Sequence, residues 1–259
     1  DPSLLERADE AITRALALDP QLAEAWSARG TLAYLRRDAP ASLAAFEQSL
    51  ELDPDYASTW TIRAYQLGLV GRFEEALASA NRAVELDPLS AEGFVNVSGA
   101  ALALGRSEEA MAAARRARQL SPGWPSTQFS EAQAAFVAGD HEASLALLDG
   151  LEVPWIGGGV QSLRFRALLA LGQVDAARVL LADLSSGEDG YAHAVALAAL
   201  GDLDAAYERL AAMGPFNEFA SLSFQGPDRS LWNPGGNDSR YAEALLRLHA
   251  AWGITGADR

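Results

Sequence analysis

Three kinds of residue in this 259-residue chain could do chemistry: paired carboxylates, histidines and a glycine run. Glu74-Glu75 and Glu108-Glu109 are neighbouring acids of the kind that can divide acid and base roles in proton transfer. Each pair falls at the same point of a repeated pattern, where a helix starts. There a carboxylate complements the partial positive charge of unpaired backbone N–H groups. His141, His193 and His249 could ligate zinc or serve a nucleophile, but they lie on different sequence units, without Cys and without an i, i+4 His partner. Gly157-Gly158-Gly159 could cradle a phosphate, yet no Gly-Lys-Ser/Thr follows and no strand pattern precedes. It reads as a connection after Pro154. No catalytic residue, metal site or cofactor is expected, and the chain is expected not to be an enzyme.

Composition narrows the partners. All 20 basic residues are Arg, against 35 acidic ones, for a formal charge of −15. That field repels phosphate backbones and attracts cations, so direct nucleic-acid binding is not expected and a basic protein or peptide partner is. Without Lys there is no Schiff-base chemistry, while Arg remains available for carboxylates. The absence of Cys removes thiol catalysis and disulfides. No apolar run approaches the ~18 residues that span a bilayer, so no membrane partner is expected and a cytoplasmic location is. Asp1-Pro2-Ser3 has neither an initiator Met nor a signal-peptide profile, and the chain is expected to be a portion of a longer protein.

What positions these residues is a repeat. Pro20, Pro54, Pro88 and Pro122 are 34 residues apart, each preceded by Asp or Ser, and Gly71, Gly105 and Gly139 keep the same interval. Thirty-four residues with two punctuations make a helix-turn-helix unit. The chain divides into a half repeat over 1–22, regular repeats over 23–56, 57–90 and 91–124, and divergent repeats over 125–157, 158–186 and 187–213. A loop over 214–238 and a capping helix over 239–259 follow. Turns are expected at Arg37, Gly71, Gly105, Gly139, Gly172 and Gly201, and Gly71 is expected to need positive φ. The final helix is expected to bury Ala242, Leu245, Leu246, His249 and Trp252.

Trp26 with Gly30, Trp60 with Ala64, and Phe94 with Ser98, followed by these turns, small residues such as Ala76, Ala80 and Ala83, and a closing proline, resemble the tetratricopeptide repeat. The resemblance implies an all-α, right-handed α-solenoid of such repeats with a C-terminal capping helix. It implies a core role for Trp60. A narrower resemblance lies in Gly201-Asp202, Ala206-Tyr207, Asn233-Pro234 and Asp238-Ser239-Arg240-Tyr241, which are similar to the end of the repeat arrays of bacterial signalling and transcriptional regulators. It implies a non-catalytic protein or peptide interaction scaffold, the sensory or regulatory C-terminal part of a larger regulator. Two alternatives stay open: an interaction domain appended to a nucleotide cyclase or Ser/Thr kinase, and a groove that senses a small molecule.

In such an array the first helix of each repeat lines a concave wall. Helical spacing then places Tyr34, Tyr65, Asn96, Phe129, Gln133, Arg166 and Tyr191 as the peptide-binding groove. Chaperone-type repeats of the family clamp an acidic C-terminal tail with Lys, Asn and Arg. Asn96 alone matches that set, so such tails are not expected.

Overall fold

Side-chain oxygens start many of these helices and glycines stop them. The carboxylates of Asp38, Asp140 and Asp202 accept from the backbone N–H of Ala41, Ala143 and Ala205, and the Ser90 hydroxyl accepts from that of Gly93. Each cap satisfies one of the donors that a helix N-terminus leaves unpaired. At the turns, Gly71, Gly105, Gly139, Gly172 and Gly201 have φ between 70° and 86°. The residue after each donates back to the carbonyl five positions earlier, as Arg72 does to Leu67 and Asp202 to Leu197. The exits work differently. Asp19, Asp53 and Asp87 each accept from the N–H two residues on, across the following proline, which closes an Asx turn where the ring forbids further helix.

The computed structural model describes residues 2–151, 159–186, 190–213, 229–234 and 236–254, and among them every regular element is a helix. A lone α1 (Pro2–Leu18) precedes six helix pairs. They are α2 (Ala23–Leu35) with α3 (Ala39–Leu52), α4 (Ala57–Leu69) with α5 (Phe73–Leu86), and α6 (Ala91–Ala103) with α7 (Ser107–Leu120). Then come α8 (Pro125–Val137) with α9 (His141–Leu148), α10 (Gly159–Ala170) with α11 (Val174–Ser186), and α12 (Gly190–Ala199) with α13 (Leu203–Ala212). A single turn, α14 (Arg229–Trp232), falls within the stretch expected as loop, and α15 (Ser239–Ala251) ends the fold. The rest of the expected loop, from 214 to 228, lies outside the described residues, as do Pro154 and Gly157-Gly158.

The pairs stack as a right-handed α-solenoid. Successive first helices (α4, α6, α8, α10, α12) touch one another and form the inner wall, while the second helices pack chiefly between flanking first helices. Close approach depends on small side chains: Ala80, Ala83, Ala110, Ala114 and Ala117 are fully buried. The first pair solves the same contact differently. Phe46 is fully buried against Gly30, where an added Cβ would lie 2.4 Å from its ring. The repeats are also tied by their aromatics, since the indole N–H groups of Trp26 and Trp60 donate to the carbonyls of Pro20 and Pro54 at 2.9 and 2.8 Å. Trp60 is therefore half-exposed with Arg63 over its ring, and is a strut between repeats instead of the core aromatic expected.

Candidate functional site

Several of the residues that looked chemical make contacts that hold the fold together. Glu75 sits in the first turn of α5 and takes a two-point contact from Arg72, Nε to Oε1 and Nη2 to Oε2 at 2.6 Å each. Those hydrogen bonds hold its carboxyl below the usual carboxylate range. Glu109 likewise pairs with Arg106, 3.5 Å away, at the start of α7. His141 packs on Phe136 with ring centroids 4.9 Å apart. Burial, reinforced by Arg209, pushes the His193 imidazole below its ordinary pKa. Among the described residues no group of three or more His, Asp or Glu side chains gathers where it could hold a metal ion. Among them, too, no helix is long and apolar enough to cross a membrane.

The inner wall brings five of the seven sequence-predicted groove residues to half-exposed positions on successive first helices: Tyr34, Tyr65, Asn96, Gln133 and Arg166. Asn96 is fixed by its Nδ2, which donates to the Thr61 carbonyl at 2.9 Å. Arg166 lies over the Phe136 ring, 4.6 Å from its centroid. The other two are corrected by burial. Phe129 is 4% exposed and packs with Leu148, Leu151 and Leu163, and Tyr191 is 1% exposed beneath Trp232. Both rings lie in divergent repeats and are consumed by packing between helices.

A second assembly gathers at the C-terminal end. Asp238 caps α15 by accepting from the Arg240 N–H, and its carboxylate pairs with the Arg240 guanidinium at 2.9 Å. Arg240 reaches on to Asp204 and covers the Tyr207 ring at 4.7 Å. The Tyr207 hydroxyl donates to the Trp232 carbonyl at 2.7 Å, and burial pushes its pKa far up. Asn233 accepts from the Asp238 N–H. One cluster thus unites the scattered Ala-Tyr, Asn-Pro and Asp-x-Arg-Tyr phrases and fastens α14 and α15 to the last helix pair, whose α13 is capped by Asp202 of the Gly-Asp phrase.

The buried stripe of α15 differs from the expected one. It is Tyr241, Ala244, Leu248 and Trp252, whereas Leu246 is 47% exposed. Trp252 is buried as expected, and α15 does more than cap the last repeat. Its end reaches the first: Trp252 stacks on Tyr34 with centroids 5.9 Å apart and planes 13° from parallel, and Tyr34 meets Tyr65 edge-on at 6.1 Å. Arg37 lies 5.3 Å from the Trp252 ring centroid. The Ala39 N–H donates to the Trp252 carbonyl at 3.0 Å. Helical spacing alone missed Arg37 and the Trp252-Gly253 corner. One signal was present, in that Arg37 stands where the other turns carry Gly.

These features define a class of protein: an α-solenoid of helix pairs whose first helices form a continuous inner wall, which is the architecture of a protein-interaction scaffold. The tetratricopeptide repeat model matches residues 4–57 and 70–125, so this part of the chain is built of tetratricopeptide repeats. The chain's structure is similar to that of a tetratricopeptide repeat protein from Parabacteroides merdae, at TM-score 0.66 and 15% identity over 96% of this chain and 93% of that one. PilW, a widely conserved type IV pilus biogenesis factor, is similar at TM-score 0.63 and 22% identity over 71% of this chain and 88% of that one. A chain of the APC/C hetero-tetramer Cut9-Hcn1 is similar at TM-score 0.65 and 17% identity, over 94% of this chain and 46% of that one. At these identities the likeness is one of fold. No curated protein matches the sequence.

Proposed function

We propose that the inner wall binds an extended or helical segment of a protein partner, as the interaction part of a larger regulator, and that the chain itself is not catalytic. The observation that carries this reading is the ladder of half-exposed polar side chains on successive first helices, Asn96 on α6, Gln133 on α8 and Arg166 on α10. Amide and guanidinium groups at the repeat spacing can hydrogen-bond a peptide backbone and its carboxylates over several turns of the solenoid. The formal charge of −15 speeds encounter with a basic segment, and Arg166 supplies a local contact for an acidic residue within it. The regulator reading draws support from the Tyr207–Arg240–Asp238 cluster, which joins the phrases shared with the ends of regulator arrays.

The test is direct. Peptides selected by display on the parent protein should lose binding by at least tenfold to a variant carrying Asn96→Ala, Gln133→Ala and Arg166→Ala, while its helical circular dichroism and unfolding midpoint stay within error. Unchanged affinity for every selected peptide would remove the inner wall from consideration.

A further inference from the structure

The turn between α2 and α3 is the odd one of its set. Arg37 has φ +58°, and among the described residues it is the sole non-glycine with positive φ; the five equivalent turns all use Gly. A side chain in this region is strained and persists where its surroundings compensate. Here the compensation is visible, because the guanidinium lies over the Trp252 indole and the next residues receive the chain end. Gly253 has φ +71°, and a Cβ added to it would come 3.4 Å from the Arg37 carbonyl oxygen and 3.7 Å from the Asp38 Cα. Two backbones approach closely, and the arriving one carries an indole that stacks on a tyrosine and lies under a cation. This is how an aromatic side chain of a ligand would be held. The host residues Tyr34 and Tyr65 belong to the same inner wall as Asn96, Gln133 and Arg166.

We propose that Tyr34, Arg37 and Tyr65 form an aromatic-reading subsite at the first-repeat end of the groove, and that Trp252-Gly253 is its releasable internal ligand. The inference rests on the groove reading above and adds its regulation. A partner segment that carries a tryptophan side chain takes the subsite by displacing Trp252, which frees the first repeat from the last. The corner is held on α2 and α3 by the ring stack, the cation, the Ala39 hydrogen bond and burial in one apolar cluster with Ala39 and Leu69. Tyr241, Ala244 and Leu248 tie α15 into that cluster with the last pair, so the release proposed is of the corner and not of the whole helix. Until it is displaced, the corner subtracts its own binding from the partner's apparent affinity.

The experiment uses the whole chain and a fluorescent peptide copying residues 239–254. The Trp252→Ala chain should bind this peptide at least tenfold more tightly than the parent does, Trp252→Phe should fall between them, and adding Tyr34→Ala to Trp252→Ala should abolish binding. Hydrogen exchange supplies a readout that needs no ligand. Ala39 is the first residue of α3, where a helix offers its amide no acceptor, so protection there reports the bond to Trp252. It should fall at least tenfold in Trp252→Ala and in Arg37→Gly, the second of which removes the cation and the strain without opening the core. Equal peptide binding by parent and Trp252→Ala, or unchanged Ala39 exchange in both variants, overturns the proposal. The Asn96, Gln133 and Arg166 variant leaves the corner intact, so peptides lost there but indifferent to Trp252→Ala sink this inference alone and leave the groove standing.

Discussion

The first three helix pairs and the C-terminal third of the molecule reach similar burial by opposite means. Between α2 and α7 the core sets leucines such as Leu67, Leu77 and Leu102 among small side chains at fixed phase, with Ala76, Ala80 and Ala83 in one pair and Ala110, Ala114 and Ala117 in the next. From α12 onward it is made of large ones: Tyr191, Tyr207, Trp232, Tyr241 and Trp252 share a single cluster. A repeat that must stack on copies of itself needs close helix approach, which alanine allows and tryptophan does not. A chain end that must join non-equivalent elements has no repeating surface to match, and fills an irregular space with rings, held in place by the Tyr207 hydroxyl and the Arg240 cation. The regular half is therefore tolerant of the same change made in every unit, and the end is not.

The largest test of that contrast is Trp232→Ala. Trp232 is fully buried between Tyr191 and Tyr207. Its truncation should cost about 3–5 kcal/mol and release α15, read as loss of hydrogen-exchange protection confined to α12 through α15. Protection lost evenly along the whole array would show that the two regions are one cooperative unit.

Next comes the one place where the regular half borrows a large ring. Gly30→Ala pushes a methyl into Phe46 and should cost up to about 3 kcal/mol. Pairing it with Phe46→Ala recreates the Ala64 and Ala80 pair that the next repeat already uses, both of them buried. The double variant should be more stable than the sum of the two single losses predicts, by about 1 kcal/mol or more in denaturant titration. Strict additivity would mean that Gly30 and Phe46 are not each other's reason.

Much of the regular half is legible because its signals are local. Asp-Pro exits, glycine turns and the Trp-to-Pro struts all act within a few residues, and the 34-residue interval repeats them. Three features resist reading from sequence. Phe129 and Tyr191 carry the side-chain type of a groove, and only the stacking of later helices buries them. The buried stripe of α15 runs through Leu248 and not Leu246: Tyr241, Ala244, Leu248 and Trp252 keep ordinary helical spacing on a face rotated from the one expected, and apolar residues on both faces leave the periodicity ambiguous. The Trp252 contact with Tyr34 joins the last described element to the first full repeat, and no periodicity announces it.

A smaller effect sharpens the comparison inside the regular half. Gln66 on α4 is fully buried, and neither polar atom of its amide has a hydrogen-bond partner. Ser27, Thr59 and Ser49 nearby satisfy one another, at 2.8 and 3.2 Å. The amide's lost hydration goes unrecovered, so Gln66→Leu should stabilise the protein by about 1–2 kcal/mol. A lower unfolding midpoint would mean that the amide has a role in packing that leucine cannot fill.

The smallest effect belongs to the charged fastening of α15 and is read through pH. The Arg240 guanidinium, hydrogen-bonded to Asp238, holds that carboxyl below its ordinary value. A carboxyl whose folded pKa is depressed binds its proton more readily in the unfolded chain. Its stabilisation is present above the unfolded value, about 3.9, and is lost as pH falls through the folded one. Asp238→Asn keeps an oxygen that can cap the helix but removes the charge. Parent and variant should therefore differ modestly at pH 6 in the exchange protection of α15 and converge toward pH 2, with most of the change below pH 4. The same measurement on α5, whose first turn carries the Arg72–Glu75 pair, separates the two regions. Both ion pairs should fade in acid, but α5 keeps its stacked neighbours on either side and should stay protected, while α15 loosens first. If α5 loosens at the same pH, the ion pairs matter more to the regular half than its alanine packing, and the contrast between the two halves fails.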